Sequence, residues 1–302
     1  MIAPRETTTR QPSPQQRFFT SQRLKLSYWA WGDPARQPVV MQHGGRDHAR
    51  SWDRIAEGLA DEYYVVALDL RGHGDSQWET GGEYSTQQGV IDFLTLVELL
   101  GRPVNVIAHS YGGLIANLAA GSYPQLFRSI VSIEGSISGR RAELEPLAPQ
   151  SLRKHIEVRR ALDGRTPRRY ASIADAATRM SEMNTRLSPE MALHLATHGV
   201  SEVDGGYEWK FDNWGRPGVR RDDITPSEGQ AFARAIECPV LLIVGDQSGG
   251  KRNMQDEIKH FADGRSMLVA DAAHWVHHDQ PQTVIDEARN FFAAAGDPAG
   301  DA

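Results

Sequence analysis

The sequence predicts an α/β protein with a doubly wound, mostly parallel sheet. Short apolar, β-branched runs recur with little polar alternation, which is typical of strands buried on both faces. Helical patterns alternate with these runs, as they do in parallel sheets covered by helices on both sides. The predicted strands are residues 38–42, 63–68, 104–108, 129–133, 240–244 and 266–269.

The clearest predicted helix begins at Ser85, where the letters STQQ form a capping box. Apolar residues then recur at helical spacing until Gly101. A second apolar helix is predicted over residues 114–120, and an amphipathic segment at 283–294 predicts the last helix. Strands and helices therefore alternate at both ends of the chain.

One long interval, residues 138–232, breaks this alternation and is charged and helical in pattern. We interpret it as a helical lid inserted into a core of residues 16–137 and 233–296. Residues 1–15 and 297–302 lack periodicity and are expected to be flexible tails.

Composition excludes several function classes. The chain has 302 residues, and 33 Lys and Arg against 39 Asp and Glu give a net charge of −6. This balance argues against nucleic-acid binding and against attraction to an anionic membrane. A single cysteine, Cys238, excludes an internal disulfide. With no apolar stretch typical of a signal peptide or a membrane span, we expect a cytoplasmic location without membrane insertion; the sequence does not indicate an oligomeric state.

The strongest chemical motif is His109-Ser110-Tyr111-Gly-Gly, between the strand at 104–108 and an apolar helix. A serine on a sharp strand-to-helix turn is the arrangement of a nucleophile elbow. Ala108 stands where that motif normally has its first glycine. The alternative interpretation is a serine in an ordinary turn or helix cap.

Two further segments fit around Ser110. The strand at 38–42 runs into His-Gly-Gly, so the backbone N–H groups of Gly45 and Tyr111 are candidates for an oxyanion hole. His274 follows the last predicted strand, where a general base would reach Ser110.

Together these motifs resemble the α/β-hydrolase superfamily, in particular its lidded serine hydrolases of the esterase and serine hydrolase-like branch. The resemblance covers about residues 17–295 and includes HGG, DLRGHGDS, HSYGG and AAHWVHHDQP in family order. It implies an α/β-hydrolase fold, Ser110 as nucleophile and His274 as base. It also excludes epoxide hydrolases and haloalkane dehalogenases, which place Asp at the nucleophile position.

The resemblance leaves two candidates for the triad acid. In most relatives it is the last residue of a G-x-x-D, but here that position is Ser248. Glu134, 24 residues after Ser110, resembles in position the acid of some haloalkane dehalogenases and of a zearalenone lactonase. We favour Glu134 and keep Asp246 as the alternative; Glu134 would otherwise be a strand-end carboxylate satisfied by a helix N–H.

Cofactors and metals are not expected. No G-x-G-x-x-G follows the first predicted strand, so a dinucleotide site has no support. Residues 274–278 form the pattern H-x-x-H-H, which resembles a zinc-binding spacing. It lacks the glutamate of H-E-x-x-H, and the chain has no cysteine cluster, so we predict hydrogen-bonding rather than metal-binding roles. The histidines weighed as metal ligands are His43, His48, His274, His277 and His278, and the predicted hydrogen bonds around the site belong to His43 and to His277 or His278.

The predicted reaction is acyl transfer to water from a small, largely apolar ester, lactone or thioester. The predicted substrate-binding residues are Gly44, Arg46, Trp209, Trp214 and Trp275; for the aromatic ones, ordinary packing is the alternative. Two other functions stay open: carbon–carbon bond hydrolysis of the meta-cleavage type, and a weakly active small-molecule receptor.

Overall fold

A computed structural model describes residues 13–81, 84–137, 149–162, 165–215 and 224–296. Its main feature is an eight-stranded sheet in the order β1-β2-β4-β3-β5-β6-β9-β10. The strands are β1 (Gln15–Ser21), β2 (Leu24–Trp31), β3 (Pro38–Gln42), β4 (Tyr64–Leu68), β5 (Val104–His109), β6 (Phe127–Ile133), β7 (Val200–Val203), β8 (Gly206–Trp209), β9 (Val240–Gly245) and β10 (Gly264–Val269). From β4 to β10 neighbouring strands are parallel, whereas β1 and β2 form an antiparallel edge.

Helices cover both faces of this sheet. They are α1 (Asp53–Leu59), α2 (Thr86–Leu99), α3 (Tyr111–Ser122), α4 (Pro149–Arg160), α5 (Ile173–Met183), α6 (Pro189–Gly199), α7 (Pro226–Ala235), α8 (Met254–Ile258), α9 (Val276–Asp279) and α10 (Pro281–Ala294). Apolar residues of α2, α3 and α7 form one buried cluster and those of α1 and α10 form another. The sheet separates the two clusters.

The central strands show why their sequences lack polar alternation. Every residue of β3 is buried, with Val40 in one cluster and Val39 and Met41 in the other. Strands buried on both faces need apolar residues at every position. The predicted doubly wound, mostly parallel sheet is therefore confirmed, and the six predicted strands are present with ends shifted by at most two residues.

The antiparallel β1–β2 hairpin was not predicted. Most of β1 is exposed and polar, so its sequence carries no signal of burial. The expected tail of residues 1–15 reaches into this strand, which begins at Gln15. Residues 1–12 and 297–302, the rest of both expected tails, lie outside the described residues.

The described parts of the interval 138–232 differ from a purely helical insertion in two ways. Helices α4, α5 and α6 are followed by the antiparallel pair β7–β8, and residues of α5, α6, β7 and β8 share a small apolar cluster. Helix α7 begins inside the interval, yet Ala233 belongs to the main core cluster, and Gly121 of α3 lies so close that a Cβ would be 2.5 Å from the Phe232 carbonyl oxygen. Helix α7 therefore packs against α3 and contributes to the main core cluster.

Within the described residues, no helix is both long and apolar enough to cross a bilayer. Cys238 is a buried free thiol, and burial raises its pKa to about 12. A thiol held in the protonated state is a poor nucleophile.

Candidate active site

Ser110 occupies the turn between β5 and α3 with φ 51° and ψ −117°. This left-handed backbone conformation is costly for a residue with a side chain and is often found at functional sites. The Ser110 N–H donates to the Ile133 carbonyl at 2.9 Å, which fixes the turn to the end of β6. The elbow predicted by the HSYGG motif is present in the backbone.

The two glycines after Tyr111 allow the elbow to approach its neighbours closely. A Cβ at Gly112 would lie 2.5 Å from the Gln42 carbonyl oxygen, and one at Gly113 would lie 2.7 Å from the Gly135 Cα. Side chains here would push α3 away from β3 and from the β6 end. The glycine pair is therefore required by packing around Ser110.

His274 lies between β10 and α9 and faces the elbow. Its Nε2 is 3.1 Å from the Ser110 Oγ, within hydrogen-bonding distance. The His274 side chain is 42% exposed, so it is open to a bound substrate and to water. This is the distance that a general base needs to take the serine proton.

Glu134 follows β6 with φ 53°, and its side chain is only 3% exposed. Its Oε2 is 3.4 Å from the His274 Nδ1, at the long end of hydrogen-bonding distance. The Gly245 N–H donates to Oε1 at 2.9 Å and the Ser248 hydroxyl donates to Oε2 at 2.6 Å. A Cβ at Gly250 would lie 2.6 Å from Oε2. The loop after β9 thus surrounds the Glu134 carboxylate.

Asp246, the alternative acid, faces elsewhere. Its Oδ1 accepts a hydrogen bond from the Ala272 N–H at 3.3 Å, and its own N–H donates to the Val269 carbonyl. These contacts link β9 to the segment after β10. Of the two carboxylates considered from sequence, the structure brings only Glu134 to His274.

The candidate oxyanion residues flank the serine. Gly45 and Tyr111 both line the cavity that contains Ser110. Tyr111 opens α3, and the first-turn N–H groups of a helix are not used by its own hydrogen-bond ladder. A Cβ at Gly45 would meet nothing within 4 Å, so the backbone there is open to a ligand.

A cavity of about 870 Å³ lies above Ser110, Glu134 and His274. The interval 138–232 contributes most of the apolar wall, and arginines line the cavity both from this interval and from the rest of the chain. The apolar wall residues from this interval include Tyr170, Met180, Met183, Leu187, Leu195, Trp209 and Phe211, and the arginines are Arg46, Arg71, Arg165, Arg168 and Arg179.

Three of the five predicted substrate contacts line this cavity: Arg46, Trp209 and Trp275. Gly44 does not, because it is buried against the elbow, where a Cβ would lie 3.1 Å from the Ser110 Cβ. Trp214 also lies outside the wall, and the Arg159 guanidinium stacks over its ring at 4.9 Å. Gly44 and Trp214 are therefore not among the residues that line this cavity, and their contact with substrate stays a prediction.

Sequence reasoning missed two residues that hold this site. Ser248 stands where relatives have an acid, and only the structure reveals its bond to Glu134. Arg186, from the inserted interval, donates to the Asp279 carboxylate at 2.8 Å, and that carboxylate accepts from the Ala273 N–H at 2.8 Å. Arg186 thereby ties the insertion to the His274 loop. The sequence around Arg186 carries no motif that would have distinguished it.

Two of the other histidines named from the sequence, His43 and His48, bond to the backbone. The His43 Nε2 accepts from the Leu70 N–H at 3.0 Å, so the His43 Nδ1 carries the proton and donates to the Gly44 carbonyl. Burial lowers the pKa of His43 well below its usual value. Burial likewise lowers the pKa of His48 to about 3, and its Nε2 lies 3.0 Å from the Leu195 carbonyl of α6.

Comparison with known proteins agrees with this geometry. A family model described as the alpha/beta hydrolase fold matches residues 37–281. Human serine hydrolase-like protein 2 is 27% identical over 281 residues, which is 87% of this chain and 89% of that protein. Esterase YbfF of Escherichia coli is 25% identical over 268 residues, 84% of this chain and 92% of its own length.

Solved structures show the same fold. A thioesterase domain from the curacin biosynthetic pathway superimposes with a TM-score of 0.82 at 21% identity, covering 92% of this chain and 100% of the domain. A hypothetical protein of Pseudomonas aeruginosa superimposes with a TM-score of 0.80 at 27% identity, covering 92% and 98%.

Proposed function

Because this chain belongs to the α/β-hydrolase family, we propose that it is a serine hydrolase cleaving carboxylic esters, lactones or thioesters of small, largely apolar molecules. The observation that carries the proposal is the contact of 3.1 Å between the Ser110 Oγ and the His274 Nε2 on a strained strand-to-helix turn. Relatives named esterases and serine hydrolase-like proteins support the same reaction class.

In the proposed reaction the Ser110 Oγ attacks the substrate carbonyl carbon while the His274 Nε2 accepts the hydroxyl proton. The tetrahedral intermediate collapses, His274 returns the proton to the leaving oxygen or sulfur, and an acyl-enzyme forms on Ser110. Water then attacks the acyl carbonyl with His274 again as base. The products are a carboxylic acid and an alcohol or thiol; a lactone gives a single hydroxy acid.

Glu134 is the proposed acid of the triad. Its Oε2 faces the His274 Nδ1 at 3.4 Å, so it can hold the imidazole tautomer that leaves Nε2 free to accept a proton. It also stabilises the imidazolium that forms during attack.

The backbone N–H groups of Gly45 and Tyr111 are proposed to bind the oxyanion. Each donor in such a hole contributes on the order of 10²- to 10³-fold in rate. Support comes from their position in the wall of the cavity beside Ser110.

The inserted interval is proposed to form the lid of the substrate pocket. Trp209 and Phe211 are stacked with ring centroids 6.1 Å apart, and both line the cavity. With Met180 and Leu187 they offer an acyl or alkoxy group an apolar surface. Trp275 and Arg46 border the same space from the core.

A fluorophosphonate probe tests the proposal directly. We expect stoichiometric labelling of Ser110, located by peptide mass spectrometry, and no labelling of Ser110→Ala. A panel of p-nitrophenyl esters, lactones and acyl thioesters then ranks substrates. Hydrolysis that survives in Ser110→Ala would contradict the proposal, and turnover of a vinylogous diketone without any ester would assign carbon–carbon cleavage instead.

A further inference from the structure

Three metal-ligating side chains converge behind the nucleophile elbow. Asp47 follows the His-Gly-Gly segment, His109 ends β5 and His277 lies in α9. One ligand atom from each lies within 4.8 Å of the other two. None of the three is part of the proposed triad, although His109 is the immediate neighbour of Ser110.

His109 and His277 are buried, Asp47 is partly exposed, and all three side chains are incompletely satisfied. His109 is 2% exposed and His277 is 1% exposed. Among the residues that the structure describes, neither nitrogen of His277 has a hydrogen-bond partner, nor do the His109 Nδ1 and the Asp47 Oδ2. Unsatisfied buried polar atoms are costly, so several of them at one point indicate a missing ligand.

The tautomer of His109 suits metal binding. Its Nε2 is 2.9 Å from the His274 carbonyl oxygen, and a carbonyl only accepts, so Nε2 carries the proton. The Nδ1 is therefore left with a lone pair. A second ring nitrogen that donates to a carbonyl is the usual way in which proteins orient a metal-binding histidine.

The position of the Asp47 carboxylate is fixed by its own loop. Its Oδ1 accepts a hydrogen bond from the His48 N–H at 2.8 Å, which leaves Oδ2 as the oxygen available to a ligand.

We propose that Asp47, His109 and His277 form a binding site for a divalent transition-metal ion of the Zn²⁺ type. Two imidazoles and one carboxylate are a donor set that such ions accept, with a further position for water. Metal–donor distances of about 2.0–2.1 Å place tetrahedral donors about 3.4 Å apart. The three side chains need to close only slightly, and Asp47 lines the main cavity, which gives the ion a path.

A second cluster in the molecule provides a contrast. Asp53, His194 and His198 also have ligand atoms within 4.8 Å of one another. There, however, the Arg50 guanidinium donates to both Asp53 oxygens at 2.5–3.0 Å. A cation already neutralises that carboxylate, so this cluster serves as the matched control.

Occupancy of the proposed site would affect hydrolysis, an effect that rests on the proposed function. The same His109 ring that offers Nδ1 to the ion holds the His274 backbone through Nε2. Drawing His109 toward an ion displaces the backbone of the proposed base. We therefore expect the ion to slow ester hydrolysis and a chelator to restore it.

The test is titration of the tag-free, chelator-treated protein with Zn²⁺ by calorimetry and with Co²⁺ by visible absorption. We expect one saturable site per chain and a Co²⁺ spectrum of low coordination number. Asp47→Asn and His277→Gln, two near-isosteric variants, should bind at least ~10-fold more weakly. The control His194→Ala/His198→Ala should bind like the wild type. Circular dichroism checks that each variant is folded.

Absence of saturable binding to the wild type would overturn the proposal and leave internal water as the occupant of the cluster. Equal binding by the folded Asp47→Asn and His277→Gln variants, or loss of binding in the control, would also overturn it. Metal binding is read without substrate, so it is independent of the enzymatic proposal. Binding without inhibition would contradict only the predicted link to His274.

Discussion

The loops after β6 and β9 lie side by side in the sheet and differ in what they carry. The β6 loop holds Glu134 in a left-handed conformation with its carboxylate toward His274. The β9 loop, where many relatives have the acid, instead supplies the Gly245 N–H and the Ser248 hydroxyl to that carboxylate. In the proposed triad, the acid and its hydrogen-bond donor have therefore exchanged strands relative to those relatives, and the comparison asks whether the position of the carboxylate in space matters more than the strand that carries it.

The largest expected difference in activity is between the amide variants of Glu134, in the β6 loop, and of Asp246, in the β9 loop. We expect Glu134→Gln to lower kcat by up to ~10⁴-fold, because the imidazole loses the charge that fixes its tautomer and stabilises its protonated form. Asp246→Asn, which keeps an acceptor for the Ala272 N–H, should remain close to wild type. Steady-state hydrolysis of a p-nitrophenyl ester measures both, and the reverse ranking would assign the acid to β9.

Returning the acid to β9 is the next test of the exchange. In a Glu134→Ala background, Ser248→Asp should recover ~10- to 100-fold of the lost kcat, since its carboxylate would begin beside the space that Glu134 vacates. Ser248→Asn in the same background is the matched control and should recover nothing. Equal rates in the two double variants would show that the β9 loop cannot deliver an acid to His274.

Two adjacent glycines test how tightly the β9 loop encloses Glu134. Gly250→Ala would put a Cβ 2.6 Å from the Glu134 Oε2, whereas a Cβ at Gly249 meets nothing within 4 Å. The displaced carboxylate should cost roughly 10- to 100-fold in kcat. Gly249→Ala should have little effect, and identical kinetics for the two variants would argue against the enclosure.

Removing the Ser248 hydroxyl should have the smallest effect. Ser248→Ala deletes the donor to the Glu134 Oε2 but leaves the Gly245 N–H on Oε1. The loss of one hydrogen bond weakens the positioning of the carboxylate by about 1 kcal/mol. We expect kcat to fall roughly 5-fold with KM unchanged, and Ser248→Thr to restore the rate. A change in KM alone would instead place Ser248 in contact with substrate.

The same comparison explains what the sequence could predict. Ser110 and His274 lie in local sequence motifs at the ends of strands. The turns there require small neighbouring residues, so the motifs can be recognised from the sequence. Glu134 was found only from its spacing. The donor role of Ser248 depends on how two loops 111 or more residues apart in sequence meet, for which no local pattern exists.

The core strands and the interval 138–232 also differ in how well their sequences predict their structure. Core strands such as β5 are buried on both faces, so burial dictates their composition. The pair β7–β8 is short and largely exposed or half-buried, so its amino-acid sequence does not distinguish it from a loop. For side chains, the residue type of Trp214 suggested a pocket wall, whereas its contact with the Arg159 guanidinium could not be read from the sequence.

The most direct test of the proposed triad is the proton on the His274 Nδ1, observed by NMR after a phosphonate has trapped Ser110. A carboxylate acceptor shifts such a proton far downfield. We predict that the downfield resonance is present in the wild type and in Asp246→Asn and absent from Glu134→Gln. A resonance that survives in Glu134→Gln and disappears in Asp246→Asn would contradict the assignment of Glu134 as the acid.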